Sequence, residues 1–384
     1  MEHHNASRRK FLYNLGLAGL SVPLIASGIK CADDKKPNPQ TMSDENNPDS
    51  YREAGKFGVA LLGLGGYAGG QLAPALQSTE HCYLAGIVTG TPSKIPTWQN
   101  KYPIPDKNVY NYENFDSIKD NKEIDIVYVV TPNALHKDFV IRAAQAGKHV
   151  ICEKPMATSV EDCDAMIAAC KKAGKMLSIG YRLHFEPYNL EMVRLGTKKV
   201  YGNIKKIIGG FGFTAGDPTQ WRLKKALSGG GPLQDVGIYC IQGICYTTGL
   251  EPIAVTAQEG PKTDPAKFKE VEQSLTWQFE MPNRIIAEGR SSYGDNFNFL
   301  KAEAEKGTFE LTTAYSYSGQ SGNTPDGPMN FPKIIQQAKQ MDGFALSIKN
   351  NQPSIVPGEM GKRDVKFIAA IYEAMSSGKK IPLK

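Results

Sequence analysis

The sequence predicts an α/β domain with a doubly wound parallel sheet, followed by an α+β domain with a mostly antiparallel open sheet. Three observations predict it. A short apolar run, Val59 to Leu62, leads straight into a glycine turn. Apolar strands and amphipathic helices then alternate to about residue 180. Beyond that point apolar strands follow one another with a single helix between them, as in α+β domains. Together they divide the chain into a dinucleotide-binding Rossmann domain at 56–180 and a substrate and oligomerisation domain at 181–384.

Val59 to Leu62 reads as a fully buried parallel strand. The turn after it, Gly63-Leu64-Gly65-Gly66-Tyr67-Ala68, has the pattern G-x-G-x-x-A. The first Gly permits the tight turn, the second lets backbone approach a pyrophosphate, and the small third residue lets helix pack on strand. A helix opening near Gly69 would face the phosphate with free N–H groups. Ordinary glycine turns share the pattern; the strand before it and the alternation after it favour the phosphate cradle.

Tyr83 to Thr89 is the second strand. An NAD enzyme usually carries an acid at its end, bonded to the ribose 2′-hydroxyl. Here Thr89-Gly90-Thr91-Pro92-Ser93-Lys94 follows, with no acid. A hydroxyl at Thr89 and a cation at Lys94 suit a 2′-phosphate, which favours NADP over NAD; a solvated loop lysine is the alternative. Ile124 to Val130 is the next strand, ending in Thr131-Pro132-Asn133-Ala134-Leu135-His136 and a helix to about Ala146. His149 to Cys152 leads into Glu153-Lys154-Pro155. Thr158 and Glu161 form a capping box for a helix to about Ala173. Met176 to Gly180 ends in Tyr181-Arg182.

In the second domain, Ile204–Phe213, Ile253–Glu259, Val271–Phe279, Ile285–Ser292 and Gly307–Thr313 read as strands. The intervening helix spans about Leu233 to Thr248. Two helices, about Lys333–Asn350 and Gly358–Ser377, close the chain. Tyr315 to Pro332 reads as a long Gly- and Tyr-rich loop without an assigned role, and there is no internal repeat.

The 384 residues carry a net charge of +6. That charge forms no basic stripe, so nucleic acid is not an expected partner. No apolar run reaches membrane-spanning length. Residues 1–28 contain Ser7-Arg8-Arg9-Lys10-Phe11-Leu12 and then a mildly apolar segment, the pattern of a twin-arginine signal. A disordered basic N-terminus is the plainer alternative. Cleavage after Gly28 implies a periplasmic protein. Lipid anchoring at Cys31 is disfavoured because Lys30 stands where a small residue is required. Residues 29–55 form a polar arm or linker. The seven cysteines match no disulfide or zinc framework, and the six histidines form no ligand cluster, so no metal is expected.

The chemistry rests on Lys154 and on Asp235-Val236-Gly237-Ile238-Tyr239. On a helix Asp235 and Tyr239 share a face. Oxidising a sugar hydroxyl needs a base, and a phenol with a free pKa near ~10 is a poor one. A neighbouring ammonium stabilises the phenolate. Lys154 is the candidate for that charge, Tyr239 for the base and Asp235 for orienting a hydroxyl or the lysine. The alternative is a core tyrosine and a capping aspartate.

The sequence resembles the glucose–fructose oxidoreductase / inositol dehydrogenase family over about Phe57 to Pro382. The resemblance lies in Gly63–Ala68, Thr131-Pro132-Asn133 with His136, and Ala146-Gly147-Lys148-His149-Val150 through Glu153-Lys154-Pro155. Cys152 to Val160, Gly180-Tyr181-Arg182, Gln220-Trp221-Arg222-Leu223, Gly229-Gly230-Gly231 with Asp235–Tyr239, and Pro357-Gly358-Glu359 place it nearest the glucose–fructose branch. Most of the wider family has His where Tyr239 stands. The resemblance implies catalytic roles for Lys154 and Tyr239, with Asp235 in support. It implies that Gly63, Leu64, Gly65, Gly66, Tyr67, Ala68, Thr89, Lys94, Pro132, Asn133, His136, Glu153, Lys154, Arg182, Trp221 and Arg222 line the cofactor. For Trp221 and Arg222, a core aromatic and a surface ion pair stand as alternatives.

The branch is exported by the twin-arginine route and holds NADP tightly. The implied activity is oxidation of an aldose at C1 to a lactone, with the hydride passed to a second sugar carbonyl. An exchangeable-cofactor dehydrogenase, a redox-assisted glycosidase and a non-catalytic sugar sensor remain as alternatives. The arm at 29–55 is more polar than the family's proline-rich arm, and 315–332 also departs. An exposed sheet face of this architecture usually finds a partner, so a homodimer or homotetramer is expected.

Overall fold

The computed structural model describes residues 51–383; the expected signal at 1–28, Cys31 and most of the 29–55 arm lie outside the described residues. The end of that arm belongs to the fold. Tyr51 gives its backbone N–H to Glu123 at 2.8 Å and its hydroxyl to the Leu84 carbonyl at 3.3 Å.

Six strands form the first sheet: β1 (Phe57–Leu62), β2 (Cys82–Val88), β3 (Val109–Tyr110), β4 (Ile126–Val129), β5 (His149–Cys152) and β6 (Leu177–Ile179). Their order is β3-β2-β1-β4-β5-β6, and every pairing is parallel. This is the Rossmann order, in which ligands bind where the order reverses, between β1 and β4. Both faces are covered, so β1, β2 and β4 read as continuous apolar runs rather than alternating ones. Ala60, Leu62, Val127 and Val129 pack on Phe139, Val140 and Met166; Val59, Leu61 and Tyr128 pack on the other side.

Part of that second cover comes from far along the chain. The helix Gln336–Lys349 inserts Met341 and Phe344 beneath β1, each worth ~1.5–3 kcal/mol when fully buried. Its Asp342 accepts the backbone N–H groups of Glu80 and His81 at 3.0 and 2.8 Å. The helix Val160–Lys172 corrects the expected capping box. Ser159, not Thr158, is the extended cap residue, and its hydroxyl accepts the Asp162 N–H at 3.1 Å.

The second sheet contains β7 (Ile204–Gly212), β8 (Ala254–Glu259), β9 (Ser274–Glu280), β10 (Ile286–Ser292), β11 (Phe297–Ala304), β12 (Gly307–Leu311), β13 (Gly322–Thr324), β14 (Gly327–Pro328) and β15 (Ile381–Pro382). The order is β14-β13-β12-β11-β7-β10-β9-β8-β15. All pairs are antiparallel except β7 with β10. β9 alternates buried and exposed residues, so one face meets helices and the other is open. The strand β11 was not expected, and the 315–332 segment contains the β13–β14 hairpin rather than loop alone.

The helix Ile238–Thr248 lies buried on β7. Close approach is possible because β7 has glycine at its centre: a Cβ on Gly209 would stand 3.1 Å from that of Cys240. The six described cysteines are all free and buried. No described helix is long and apolar enough to cross a membrane.

Candidate active site

A cleft of about 550 Å³ opens at the reversal point of the first sheet. Gly63 to Ala68 border it. Gly63 has φ +103°, and a Cβ there would stand 2.8 Å from the Val130 carbonyl oxygen. Only glycine makes this turn without strain. Gly65 and Gly66 are exposed, and a Cβ on either would meet nothing within 4 Å. Bare backbone therefore faces open space at the start of a helical segment, which fits a pyrophosphate.

At the β2 end the cleft is bordered by Thr89, Thr91, Lys94 and Tyr112. The Thr89 hydroxyl accepts the Thr91 N–H at 3.1 Å, and Lys94 Nζ reaches back to the Leu64 carbonyl at 2.9 Å. The carboxylates that border the cleft, among the described residues, are Glu153 and Asp235. Glu153 follows β5, across the sheet from β2. Lys94 is the cation at this end of the cleft, with no bordering carboxylate beside it among the described residues.

Every residue expected along the cofactor borders this cleft except His136 and Arg182. These two lie elsewhere. His136 is fully buried behind the cleft. Its Nδ1 faces the Pro155 and Met156 carbonyls at 3.0 and 3.3 Å, and its Nε2 faces that of Thr131 at 2.9 Å. The ring braces the Glu153–Met156 turn and is occupied by backbone. Arg182 is also buried; its guanidinium donates to the Tyr315 and Ser316 carbonyls at 2.5 and 3.1 Å and to Gln336. It borders a neighbouring cavity instead.

That second cavity, of about 530 Å³, shares Lys154, Arg222, Asp235, Tyr239 and Tyr317 with the cleft. Phe211, Phe213 and Tyr315 supply aromatic walls, and Gln220, Asn298 and Ser316 add polar groups. A hollow of about 640 Å³ on the open face of the second sheet lies around Thr256, Trp277 and Arg290 and contains none of these shared residues.

Where the two cavities meet, Lys154 Nζ donates to the Asp235 backbone carbonyl at 2.6 Å and to its carboxylate at 3.3 Å. The same ammonium stands 4.7 Å from the centre of the Tyr239 ring, and the Arg182 guanidinium carbon 5.1 Å. The other Asp235 oxygen accepts from Arg222 Nε at 2.9 Å and from the Tyr293 hydroxyl at 3.1 Å. Burial opposes the charge on Asp235, but Arg222 and Lys154 outweigh it and hold the carboxyl at about 2. Burial likewise opposes the charge on Lys154, yet Tyr239, Asp235 and Glu153 keep its pKa above the usual lysine value. Lys154 is therefore a fixed ammonium at neutral pH.

Local structure sets these positions. Asp235 lies in a π-helical turn, Leu233–Gly237, that runs into the Ile238–Thr248 helix. Such turns recur at functional sites. Glu272 pins its start, accepting the N–H groups of Gly231 and Leu233 at 2.9 and 3.2 Å. Beneath Glu153, Tyr128 donates to the carboxylate at 2.7 Å and accepts from Gln340 at 2.9 Å; burial pushes the Glu153 pKa up. Tyr128, Tyr293, Asn298, Tyr315 and Tyr317 were not singled out in the sequence. Only the tyrosine-rich composition of 315–332 marked any of them.

Comparisons with known proteins follow the same division of the chain. A model described as an oxidoreductase family with an NAD-binding Rossmann fold matches residues 57–181, and one for the GFO/IDH/MocA C-terminal domain matches residues 190–310. The chain is 26% identical over 331 residues to D-xylose 1-dehydrogenase (NADP(+)) of Haloarcula marismortui, spanning 82% of this chain and 90% of that one. The crystal structure of aldose–aldose oxidoreductase from Caulobacter crescentus, complexed with glycerol, superposes with a TM-score of 0.82 at 43% identity, over 85% of this chain and 99% of that one. Levoglucosan dehydrogenase, solved with NADH and levoglucosan, shares the fold at a TM-score of 0.73 and 18% identity, over 85% and 99% of the two chains. Matches that run through both sheets make this chain a member of the GFO/IDH/MocA oxidoreductase family.

Proposed function

We propose that the protein is an exported sugar oxidoreductase that holds NADP tightly, oxidises an aldose at C1 to its lactone, and reduces the carbonyl of a second sugar. The observation that carries this is the junction of two cavities at Lys154, Asp235 and Tyr239. One cavity has the glycine turn and lysine suited to NADP; the other has the aromatic and polar walls suited to a sugar. The 43% identity to an aldose–aldose oxidoreductase supports the paired-sugar chemistry. The twin-arginine pattern supports export, and little free nicotinamide cofactor exists outside the cytoplasm.

A bound nicotinamide nucleotide supplies a two-electron acceptor that is later a donor. The chain's own residues handle the proton. Tyr239 Oη takes it from the C1 hydroxyl as the lactone carbonyl forms, and gives it to the oxygen of the second sugar as that carbonyl is reduced. The aldose loses two hydrogens overall and the acceptor gains two. Negative charge developing on Tyr239 meets two cations close to its ring, Lys154 and Arg182. Asp235 holds Lys154 and Arg222 in place from between them.

An exchangeable-cofactor dehydrogenase, the activity named for the Haloarcula relative, is the competing reading. Incubating the purified protein with pairs of aldoses and ketoses, without added nucleotide, decides between them. Lactone and alditol should appear together in equal amounts. Turnover that begins only when NADP is added would overturn the proposal in favour of the dehydrogenase.

A further inference from the structure

The segment at Tyr315–Tyr317 has no part in the glycine turn, yet it walls the second cavity and its Tyr317 also borders the cleft. We propose that Tyr317 clasps the nicotinamide end of the bound nucleotide and slows its release, with Tyr67 as its partner on the glycine turn. The inference rests on the cleft being the nucleotide site.

Three features support it. Tyr317 borders both the cleft and the second cavity. Its backbone is bolted in place. Buried Arg182 holds the carbonyls of Tyr315 and Ser316, at 2.5 and 3.1 Å. Buried Gln336 donates to those of Ser316 and Tyr317, both at 3.1 Å. Asn298 accepts the Tyr315 N–H at 2.9 Å. On this fixed support Tyr317 is still 45% exposed.

The third feature is where the ring goes. Arg182 covers part of it, with the guanidinium carbon 4.4 Å from the ring centre. The Tyr67 ring lies 5.7 Å away at an angle of 30°. Tyr67 belongs to the glycine turn and Tyr317 to the segment carried by the second sheet. The pair thus spans the cleft between its two walls. An exposed aromatic face on a rigid backbone binds a flat ring with little loss of conformational freedom. Covering the nicotinamide in this way leaves the sugar side open to exchange while the nucleotide stays.

The test is nucleotide release. Enzyme loaded with NADPH is mixed with excess NADP+, and the loss of bound NADPH fluorescence gives the dissociation rate. Tyr317→Ala should release NADPH about tenfold faster or more, and Tyr317→Phe should stay near the wild type because the ring does the work. Tyr67→Ala should also accelerate release, which reads the clasp from its other side. Equal rates for the wild type and Tyr317→Ala would overturn the inference. Fast release from the wild type, with the tenfold ratio kept, would instead remove tight holding and leave the role of Tyr317 standing. No NADPH binding by the wild type would remove both.

Discussion

Asp235→Asn removes the one carboxylate that separates two cations. A carboxyl held at about 2 instead of 3.8 contributes on the order of 2–3 kcal/mol to folding at neutral pH. Because the folded pKa is lowered, that contribution is complete above the unfolded pKa, near ~3.9, and fades as pH falls towards 2. At pH 3 about half of it remains. The substitution also removes the ion-pair partner of Lys154, whose side chain is only 12% exposed. Breaking a buried pair costs about 3–5 kcal/mol. Arg222, at 35% side-chain exposure, recovers part of this from water, so the expected total is about 3 kcal/mol. The assay is urea unfolding at pH 7 of the wild type, Asp235→Asn, Lys154→Met and the double variant. The double variant should lose less than the sum of the singles, with a coupling of at least about 1 kcal/mol. Additivity within about 0.5 kcal/mol would refute the pairing. So would an Asp235→Asn penalty that is as large at pH 3 as at pH 7.

Tyr239→Phe should lower turnover by about 10²- to 10⁴-fold while nucleotide content and melting temperature stay close to the wild type. A coupled assay of alditol formation beside a thermal melt separates the two effects. Gly63→Ala puts a Cβ 2.8 Å from the Val130 oxygen at a φ of +103°. It should cost about 1–3 kcal/mol and abolish NADP binding, as read by urea unfolding and equilibrium dialysis. Lys94→Ala should weaken NADP(H) about tenfold while changing NAD(H) little, since it is the cation at that end of the cleft. Competition between the two nucleotides measures the ratio, and an unchanged ratio would place the 2′-phosphate elsewhere.

Five strands of the first sheet are legible because they are buried runs that end in turns of distinctive chemistry; the two-residue edge strand β3 was not expected, being too short to leave a pattern. Val59–Leu62 before Gly63 and His149–Cys152 before Glu153 are local signals. Strand β11 is less legible: Phe297–Ala304 mixes aromatics with Lys, Glu and Ala, which also suit a helix. Its place in the sheet comes from pairing with β7 and β12. The parallel β7–β10 pair has no local signal either. Within the site, the i, i+4 spacing of Asp235 and Tyr239 puts them on one helix face, but it was the family resemblance that implied their roles. Tyr317 has no such signal, because its position depends on Arg182, Gln336 and Asn298 holding a distant backbone. The surroundings of His136 are equally illegible. Nothing in the sequence around this helix start tells that three backbone carbonyl groups, from Thr131, Pro155 and Met156, face its ring.

The most direct measurement follows the hydrogen itself. Purified protein, with no nucleotide added, is given an aldose carrying deuterium at C1 together with an unlabelled acceptor sugar. Mass spectrometry should find the deuterium on the former carbonyl carbon of the alditol, matched one for one by lactone. Deuterium that stays on the aldose, or an alditol formed without label, would contradict transfer between two sugars through a nucleotide that never leaves.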